Sequence, residues 1–187
     1  IKNNTVTREK FALYMSRLFN IWSPNGYNKF SDISGATEEE KAVISLGSAD
    51  ILSGFGDGTF RPKENITVTE TAIASLRALG YKPTVNWSTD RYLREADKIK
   101  LFDGISKRDK SSMGDLVVLL YNVLHADRIE YDYTDDKLET PLESVFKLKY
   151  IKGVLTANAY ASFSGERTSS ADYVAVDNVI YKTETAD

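Results

Sequence analysis

The feature that most constrains this chain is the stretch 49–81, ADILSGFGDGTFRPKENITVTETAIASLRALGY, which joins a tight loop to a helix start. Asp57-Gly58 and Arg61-Pro62 are turn dipeptides, because Gly allows a positive φ while Pro fixes φ and removes a donor. Thr67 and Glu70 have the spacing of a capping box. Apolar residues then recur at helical spacing. The stretch therefore predicts a rigid loop held against a capped helix.

The same helix opening occurs at two other places. The segment 6–19, VTREKFALYMSRLF, superposes on the helix opened by Thr67 with a shift of 60 residues, and Thr7 is its N-cap candidate. Ser112 lies 45 residues after Thr67 and precedes the strongly apolar run 116–124, LVVLLYNVL. Because one helical repeat cannot bury its apolar face alone, we expect the three helices to pack together.

These residues carry a family resemblance. Residues 51–72, ILSGFGDGTFRPKENITVTETA, closely resemble the second half of an S-layer homology (SLH) repeat, which has a loop like GYPDGTFRP and a helix opening like ITRAE. Phe30-Ser31-Asp32-Ile33 resembles the FxDV start of such a repeat. The resemblance implies a mainly α fold in which three SLH-like helical repeats form a pseudo-threefold bundle. It also implies a module of the bacterial cell surface or cell wall, outside the cell.

On this basis we expect residues 1–126 to hold the repeats. Residues 1–21 read as the remnant of a first repeat, 30–82 as the second and 84–126 as a divergent third, in which the loop is shortened. The front half of the first repeat is not in the sequence, so we interpret the chain as a mature fragment cut within that repeat.

The composition changes after the repeats. Residues 127–144 are acidic and are expected to form a linker, and 145–187 are expected to form a small β segment. Phe146 and Leu148 alternate with lysines, and Asp177-Asn178 is a hairpin signal. Such a segment is too small for a core of its own, so it is expected to pack on the repeats or to open a further domain.

Composition and motifs exclude several function classes. The net charge of −3 argues against a nucleic-acid partner, and the absence of cysteine removes disulfides and thiolate chemistry. No apolar run approaches the roughly 20 residues that a membrane helix needs. The chain has no HExxH, GxSxG or GxGxxG spacing, and Asp57 alone cannot supply a calcium loop. We therefore expect no catalytic residues, no metal and no cofactor.

The resemblance implies that grooves between repeats bind wall polysaccharide that carries acidic pyruvyl ketals. The basic residue of the ITRAE opening is kept once, as Arg8, whereas Val68 and Met113 stand at the matching positions. A fixed Arg and a helix N-terminus suit an anionic sugar, so we expect only the groove near Arg8 to bind. The remaining expected ligand-binding residues are Asp32, Gly54, Asp57, Arg61, Trp22 and Trp87.

Each of these positions also has a structural interpretation. Asp32 can orient a sugar hydroxyl or a loop amide, and Arg61 can contact a ligand or brace its own loop. Gly54 and Gly58 are read as positions that need a positive φ. The two tryptophans lie in linkers, where they can form a stacking platform for a sugar or apolar cover for the bundle.

The resemblance thus implies a non-enzymatic module that anchors a surface protein to the cell wall by binding secondary wall polysaccharide. Two alternatives stay open. One is a structural or assembly module that has lost sugar binding, in contact with other surface-layer or cell-wall proteins. The other is the non-catalytic end of a wall enzyme; the paired carboxylates of a glycosidase can lie far apart in a chain, although nothing here points to such a pair.

Overall fold

The computed structural model describes residues 5–81, 87–105, 110–129, 139–148, 151, 153–158, 160, 162, 173–177 and 179–182. The chain divides into two compact units, Ile1–Leu148 and Lys149–Asp187. The described helices of the first unit are α1 (Arg8–Leu18), α2 (Glu38–Ser48), α3 (Val68–Ala78), α4 (Thr89–Lys98), α5 (Met113–His125) and α6 (Pro141–Ser144). The described strands of the second are β1 (Leu155–Ala157), β2 (Tyr173–Val176) and β3 (Val179–Lys182). The described chain is thus mainly helical with a small C-terminal sheet, as expected.

The N-terminal ends of α3 and α5 follow their sequences, whereas those of α1 and α2 depart from them. Thr67 and Ser112 open complete capping boxes, in which an acidic side chain three residues later bonds back to the amide of the cap. Thr37 caps α2 with its hydroxyl, but the carboxylate of Glu40 bonds to the loop ahead of the cap instead. Thr7 occupies the cap position of α1 without a side-chain bond, because carbonyl groups of a distant loop bind the first amides of that helix.

Four helices end in the same Schellman turn. The residue after each C-cap is left-handed, with φ of 52°, 57°, 95° and 60° at Asn20, Asp50, Gly80 and Lys100. The following amide then bonds back into the last turn, as Ile21 does to the Ser16 carbonyl at 2.9 Å. Of these four ends, the one at Gly80 carries glycine, the residue that most easily adopts a left-handed backbone.

The starts of α1, α3 and α5 meet through a closed ring of backbone hydrogen bonds. The Val6 amide donates to the Ser111 carbonyl at 3.0 Å, the Ser111 amide to the Ile66 carbonyl at 3.1 Å, and the Ile66 amide to the Val6 carbonyl at 2.9 Å. All three residues are buried, and each directly precedes the N-cap of its helix. The three openings that match in sequence therefore meet at one place.

The core of the first unit lies between paired helices. α2 packs on α1, and α4 packs on α3. Leu76 and Leu119 are both buried, as expected from their helical positions. The chain after α5 also belongs to this packing, because the Ile129 amide donates to the Leu79 carbonyl at 2.9 Å.

A helical turn lies where the sequence predicted the end of a linker and the start of the β segment. Thr140 caps α6 with a complete capping box. The amide of Leu148 donates to the Leu142 carbonyl at 3.0 Å, so the residues from Phe146 to Leu148 close this turn. The strand alternation expected at Phe146 and Leu148 is therefore wrong, because Phe146 lies in the turn that follows α6 and the Leu148 amide bonds back to that helix.

In the second unit, β1, β2 and β3 form an antiparallel sheet in that order. Val176 pairs with Val179, so two residues join β2 to β3, as the Asp177-Asn178 signal predicts. Asp177 has φ 49°, and its carboxylate accepts the Val154 amide at 3.0 Å.

Candidate functional site

The loop 54–62 is organised around Asp57. Its carboxylate accepts the Thr59 amide at 3.0 Å and the Thr59 hydroxyl at 2.6 Å. The Phe55 amide donates to the Thr59 carbonyl at 2.8 Å, and Gly58 takes φ 81°. The two bonds from Thr59, with a further one from Arg61, stabilise the charged carboxylate and hold the pKa of Asp57 well below its ordinary value.

Asp32 clamps this loop from the start of the repeat. Its two carboxylate oxygens accept the backbone amides of Phe60 and Arg61, each at 2.7 Å. The neighbouring Ser31 amide donates to the Gly58 carbonyl at 3.0 Å. Asp32 therefore orients loop amides, which is one of the two roles expected from the sequence.

Arg61 forms part of the loop surface, with 40% of its side chain exposed. Its backbone has φ 58°, a left-handed conformation that is uncommon for a residue other than Gly. The guanidinium lies 3.9 Å from the centroid of the Phe55 ring and donates to Asp57 at 3.0 Å. The Asp57 carboxylate raises the pKa of Arg61. Arg61 braces its own loop while remaining partly accessible.

Arg8 is buried, with an exposed fraction of 4%. Its Nε donates to the Phe60 carbonyl at 2.7 Å and one Nη to the Ser53 carbonyl at 3.1 Å. The other Nη pairs with the Glu70 carboxylate. The guanidinium carbon also lies 4.4 Å from the centroid of the Phe60 ring. Arg8 therefore joins α1 to the loop and to the capping carboxylate of α3, and its charge is balanced within the chain.

The first turn of α1 is bound to the same loop. The amides of Arg8 and Glu9 donate to the carbonyls of Glu64 and Pro62, at 2.9 Å and 3.1 Å. The buried Glu9 carboxylate accepts a bond from Lys63 at 2.7 Å, which raises the pKa of Lys63. The N-terminus of α1 was expected to bind an anionic sugar. Its first two amides are instead hydrogen-bonded to carbonyls of the loop.

Residues 29–67 run from the Asp32 clamp through the loop to the cap of α3, and they match the family model described as S-layer homology domain. Within these residues the chain is similar to S-layer homology domains. The Asp32 clamp, the closed loop and the start of the capping box all lie within the matched residues. The resemblance expected from the sequence is thus confirmed.

Two relatives extend the similarity beyond the S-layer homology domain. The chain is 26% identical over 188 residues to the Middle cell wall protein of Brevibacillus brevis (strain 47), covering 95% of this chain and 17% of that protein. It is 24% identical over 183 residues to the Surface layer protein of Brevibacillus choshinensis, covering 92% of this chain and 16% of that protein. The chain spans about a sixth of the length of these relatives. The matched domain and the names of the relatives support a cell-wall anchoring role in general and a location at the cell surface or cell wall.

Gly54 and Gly58 serve the S-layer homology loop in different ways. Gly58 has the positive φ expected for it. Gly54 does not, so the expectation of a left-handed backbone at Gly54 is wrong. A Cβ at Gly54 would lie 2.4 Å from the Thr59 carbonyl oxygen and 2.8 Å from the Phe30 ring. Glycine is required there because two parts of the repeat approach too closely for a side chain.

The two tryptophans differ in their surroundings. Trp22 follows α1 and is about half exposed. Trp87 packs partly buried against the core, with its ring 5.2 Å from that of Tyr92 and 4.7 Å from the guanidinium carbon of Arg91. Trp87 therefore provides apolar cover, whereas Trp22 presents a ring to solvent.

Sequence reasoning did not identify Glu70 as the partner of Arg8. The two residues are 62 positions apart, so no local spacing links them, and Glu70 is recognisable in the sequence only as a capping residue. It also missed the packing of Phe30 on Phe60, whose ring centroids are 5.1 Å apart beneath the loop.

The described part of the chain was also searched for metal sites and membrane spans. It holds no group of three or more His, Cys, Asp or Glu side chains that could bind a metal ion. None of its helices combines the length and apolar character needed to cross a membrane.

Proposed function

We propose that this chain anchors a surface protein non-covalently to the bacterial cell wall by binding wall polysaccharide, without enzymatic activity. The observation that carries this proposal is the S-layer homology match, which falls on a loop held rigid by Asp32 and Asp57. The relatives support it, because their names denote a cell wall protein and a surface layer protein.

We infer that the three repeats are arranged about a pseudo-threefold axis. The hydrogen-bond ring of Val6, Ile66 and Ser111 supports this arrangement, since each residue donates to one neighbour and accepts from the other. The packing of α2 on α1 and of α4 on α3 supports it as well. Grooves for a polysaccharide would then lie between adjacent repeats.

The proposed ligand is an acidic sugar such as a pyruvylated unit. Arg61 and Trp22 are the residues we assign to direct contact, because both are partly exposed and offer a charge-assisted donor and a stacking ring. Asp57 and Asp32 hold Arg61 in place. Arg8 acts from beneath, by fixing the loop against α1.

Two further candidate positions contribute less to direct contact. Gly54 lets the loop close, and Trp87 is packed as apolar cover. At the positions that match Arg8, Val68 is buried and Met113 is partly buried, and neither can bind a loop carbonyl and a capping carboxylate as Arg8 does. We therefore propose that one groove, lined by Arg61 on the loop that Arg8 fixes, binds the sugar.

Calorimetry with purified wall polysaccharide tests this proposal. Arg61→Ala should weaken binding about tenfold or more, because a charge-assisted hydrogen bond contributes about 1.5–3 kcal/mol. Arg17→Ala is the matched control, since Arg17 is also an exposed arginine paired with a carboxylate, that of Glu38. Binding should weaken with added salt and disappear when the pyruvyl groups are removed. Equal affinity of Arg61→Ala and wild type would contradict the role of Arg61.

A second candidate function is a structural or assembly module without sugar binding. The specific observation in its favour is that Glu70 already balances the charge of Arg8 inside the chain. Under this function, folded wild-type protein would show no heat of binding to the polysaccharide at any salt concentration. That result would replace the anchoring proposal with this one.

A further inference from the structure

Arg77, near the end of α3, is held in place by neutral partners. Its Nη1 donates to the hydroxyl of Ser53 at 2.7 Å, and its Nε makes a longer bond to the hydroxyl of Tyr92 at 3.4 Å. The guanidinium carbon also lies 5.5 Å from the centroid of the Tyr92 ring. Among the residues that the structure describes, no carboxylate forms an ion pair with Arg77. Its partners therefore position this partly buried cation without balancing its charge.

The matching arginine of the first helix has a carboxylate partner. Arg17 precedes Arg77 by 60 residues, which is the shift that superposes the two helix openings. Arg17 pairs with Glu38, the first residue of α2, at 2.8 Å. α4 packs on α3 as α2 packs on α1, but it offers Arg77 the hydroxyl of Tyr92 instead of a carboxylate. The same repeat position thus carries a paired cation in α1 and, within the described residues, an unpaired one in α3.

The Arg77 guanidinium keeps the donors that a carboxylate needs. An arginine has five N–H donors in a planar fork, and the bonds to Ser53 and Tyr92 use two of them. No residue in the described part of the chain accepts a bond from Nη2. A carboxylate can therefore bind this fork with charge-assisted hydrogen bonds of defined direction. Because Ser53 and Tyr92 already fix the side chain, binding costs less conformational entropy than it would at a free arginine.

Ser53 connects Arg77 to the loop that we propose binds the sugar. The Ser53 carbonyl accepts a bond from Arg8 at 3.1 Å, while its hydroxyl accepts the bond from Arg77. Phe55, on which Arg61 stacks, follows two residues later, so the Cα atoms of Ser53 and Phe55 are at most about 7 Å apart. Arg77 and Arg61 are thus held by neighbouring residues of one loop.

We propose that Arg77 binds the acid group of the wall polysaccharide, with the hydroxyls of Ser53 and Tyr92 as its positioning partners. The group bound is a carboxylate, such as that of a pyruvyl ketal, and Nη2 donates to it. Arg8 does not take this role, because Glu70 and two loop carbonyls already bind its guanidinium. This inference rests on the proposed function, and it adds the residue that distinguishes an acidic sugar from a neutral one.

The first measurement uses a small carboxylate, sodium pyruvate, and needs no polysaccharide. NMR follows the side-chain Nε–H signals of the arginines in wild-type protein at constant ionic strength. The Arg77 signal should shift to saturation with a Kd on the order of 10–100 mM, the range for a single charge-assisted contact. The Arg17 signal is the internal control and should not saturate, because Glu38 already binds that guanidinium. An Arg77 signal that responds no more than that of Arg17 would overturn the proposal.

The second measurement compares pyruvylated wall polysaccharide with the same polymer after methyl esterification of its carboxylates, which removes the charge and keeps the sugar. In calorimetry, wild type should bind the acid form about tenfold or more tightly than the ester. Arg77→Gln should reduce this preference to near one, because the variant loses the charge that binds the carboxylate. Arg17→Gln is the matched control at the same repeat position and should keep the preference.

The two measurements separate this inference from the proposed function. A preference for the acid form that persists in folded Arg77→Gln would overturn the inference and leave the anchoring function intact. If wild type binds pyruvate at Arg77 but neither form of the polysaccharide, Arg77 is a carboxylate site, and the polysaccharide is overturned as its ligand together with the anchoring function. If Arg77→Gln does not fold, the NMR titration of wild type still decides whether Arg77 binds a carboxylate.

Discussion

Replacing Arg8 by Ala should destabilise the first unit strongly. The change removes the ion pair with Glu70 and the donors to the Phe60 and Ser53 carbonyls. It also opens a void against the Phe60 ring. Breaking a fully buried ion pair costs about 3–5 kcal/mol, and this pair should cost less because Glu70 is about a third exposed. The buried Phe60 carbonyl left without its donor adds about 1–3 kcal/mol, so we expect a loss of at least about 2 kcal/mol.

A double-mutant cycle isolates the ion pair from the other contacts. Glu70→Gln keeps an oxygen for the capping box of α3 but removes the charge that faces Arg8. The coupling free energy between Arg8→Ala and Glu70→Gln should be at least about 1 kcal/mol, since the two side chains touch and share a hydrogen bond.

The assay is denaturant unfolding followed by tryptophan fluorescence, which reports the first unit because Trp22 and Trp87 both lie within it. Arg17→Ala is the control, because Arg17 lies on the same helix and pairs with a carboxylate at the surface. It should cost less than about 1 kcal/mol. If Arg8→Ala and Arg17→Ala prove equally mild, Arg8 is not the structural residue described here.

Three further predictions concern the core and the loop. Leu76→Ala and Leu119→Ala should each lower the free energy of unfolding by about 2–5 kcal/mol, measured by denaturant titration; unchanged midpoints would contradict the burial of these side chains. Gly54→Ala should lower the free energy of unfolding by about 1–3 kcal/mol, because its Cβ would meet a backbone carbonyl. Gly56→Ala should leave it nearly unchanged, because the space around Gly56 is open. Equal melting temperatures of the two variants would refute this contrast. The pKa of Asp57 is lower in the folded state, so its contribution to stability should be complete above about pH 4 and decrease as the pH falls toward that lower value. Acid titration of wild type against Asp57→Asn checks this, and a difference in stability that does not depend on pH would count against it.

The local parts of the site could be predicted from the sequence. The capping boxes at Thr67 and Ser112, the turn at Gly58 and the hairpin at Asp177 depend on residues within a few positions of each other. Such hydrogen bonds form wherever the adjacent chain has the right donors and acceptors. The repeated helix openings and the family resemblance followed from the same local patterns.

The tertiary structure alone decided what these local elements do together. Arg8 looked like an exposed cation because its partners Glu70 and Phe60 lie more than fifty positions away. The left-handed helix end at Asn20 carries no glycine, and the Thr7 cap bond was lost to carbonyls of a distant loop. In each case the outcome depends on which groups packing brings close, and only the folded chain determines whether the charge of Arg8 meets solvent or the carboxylate of Glu70.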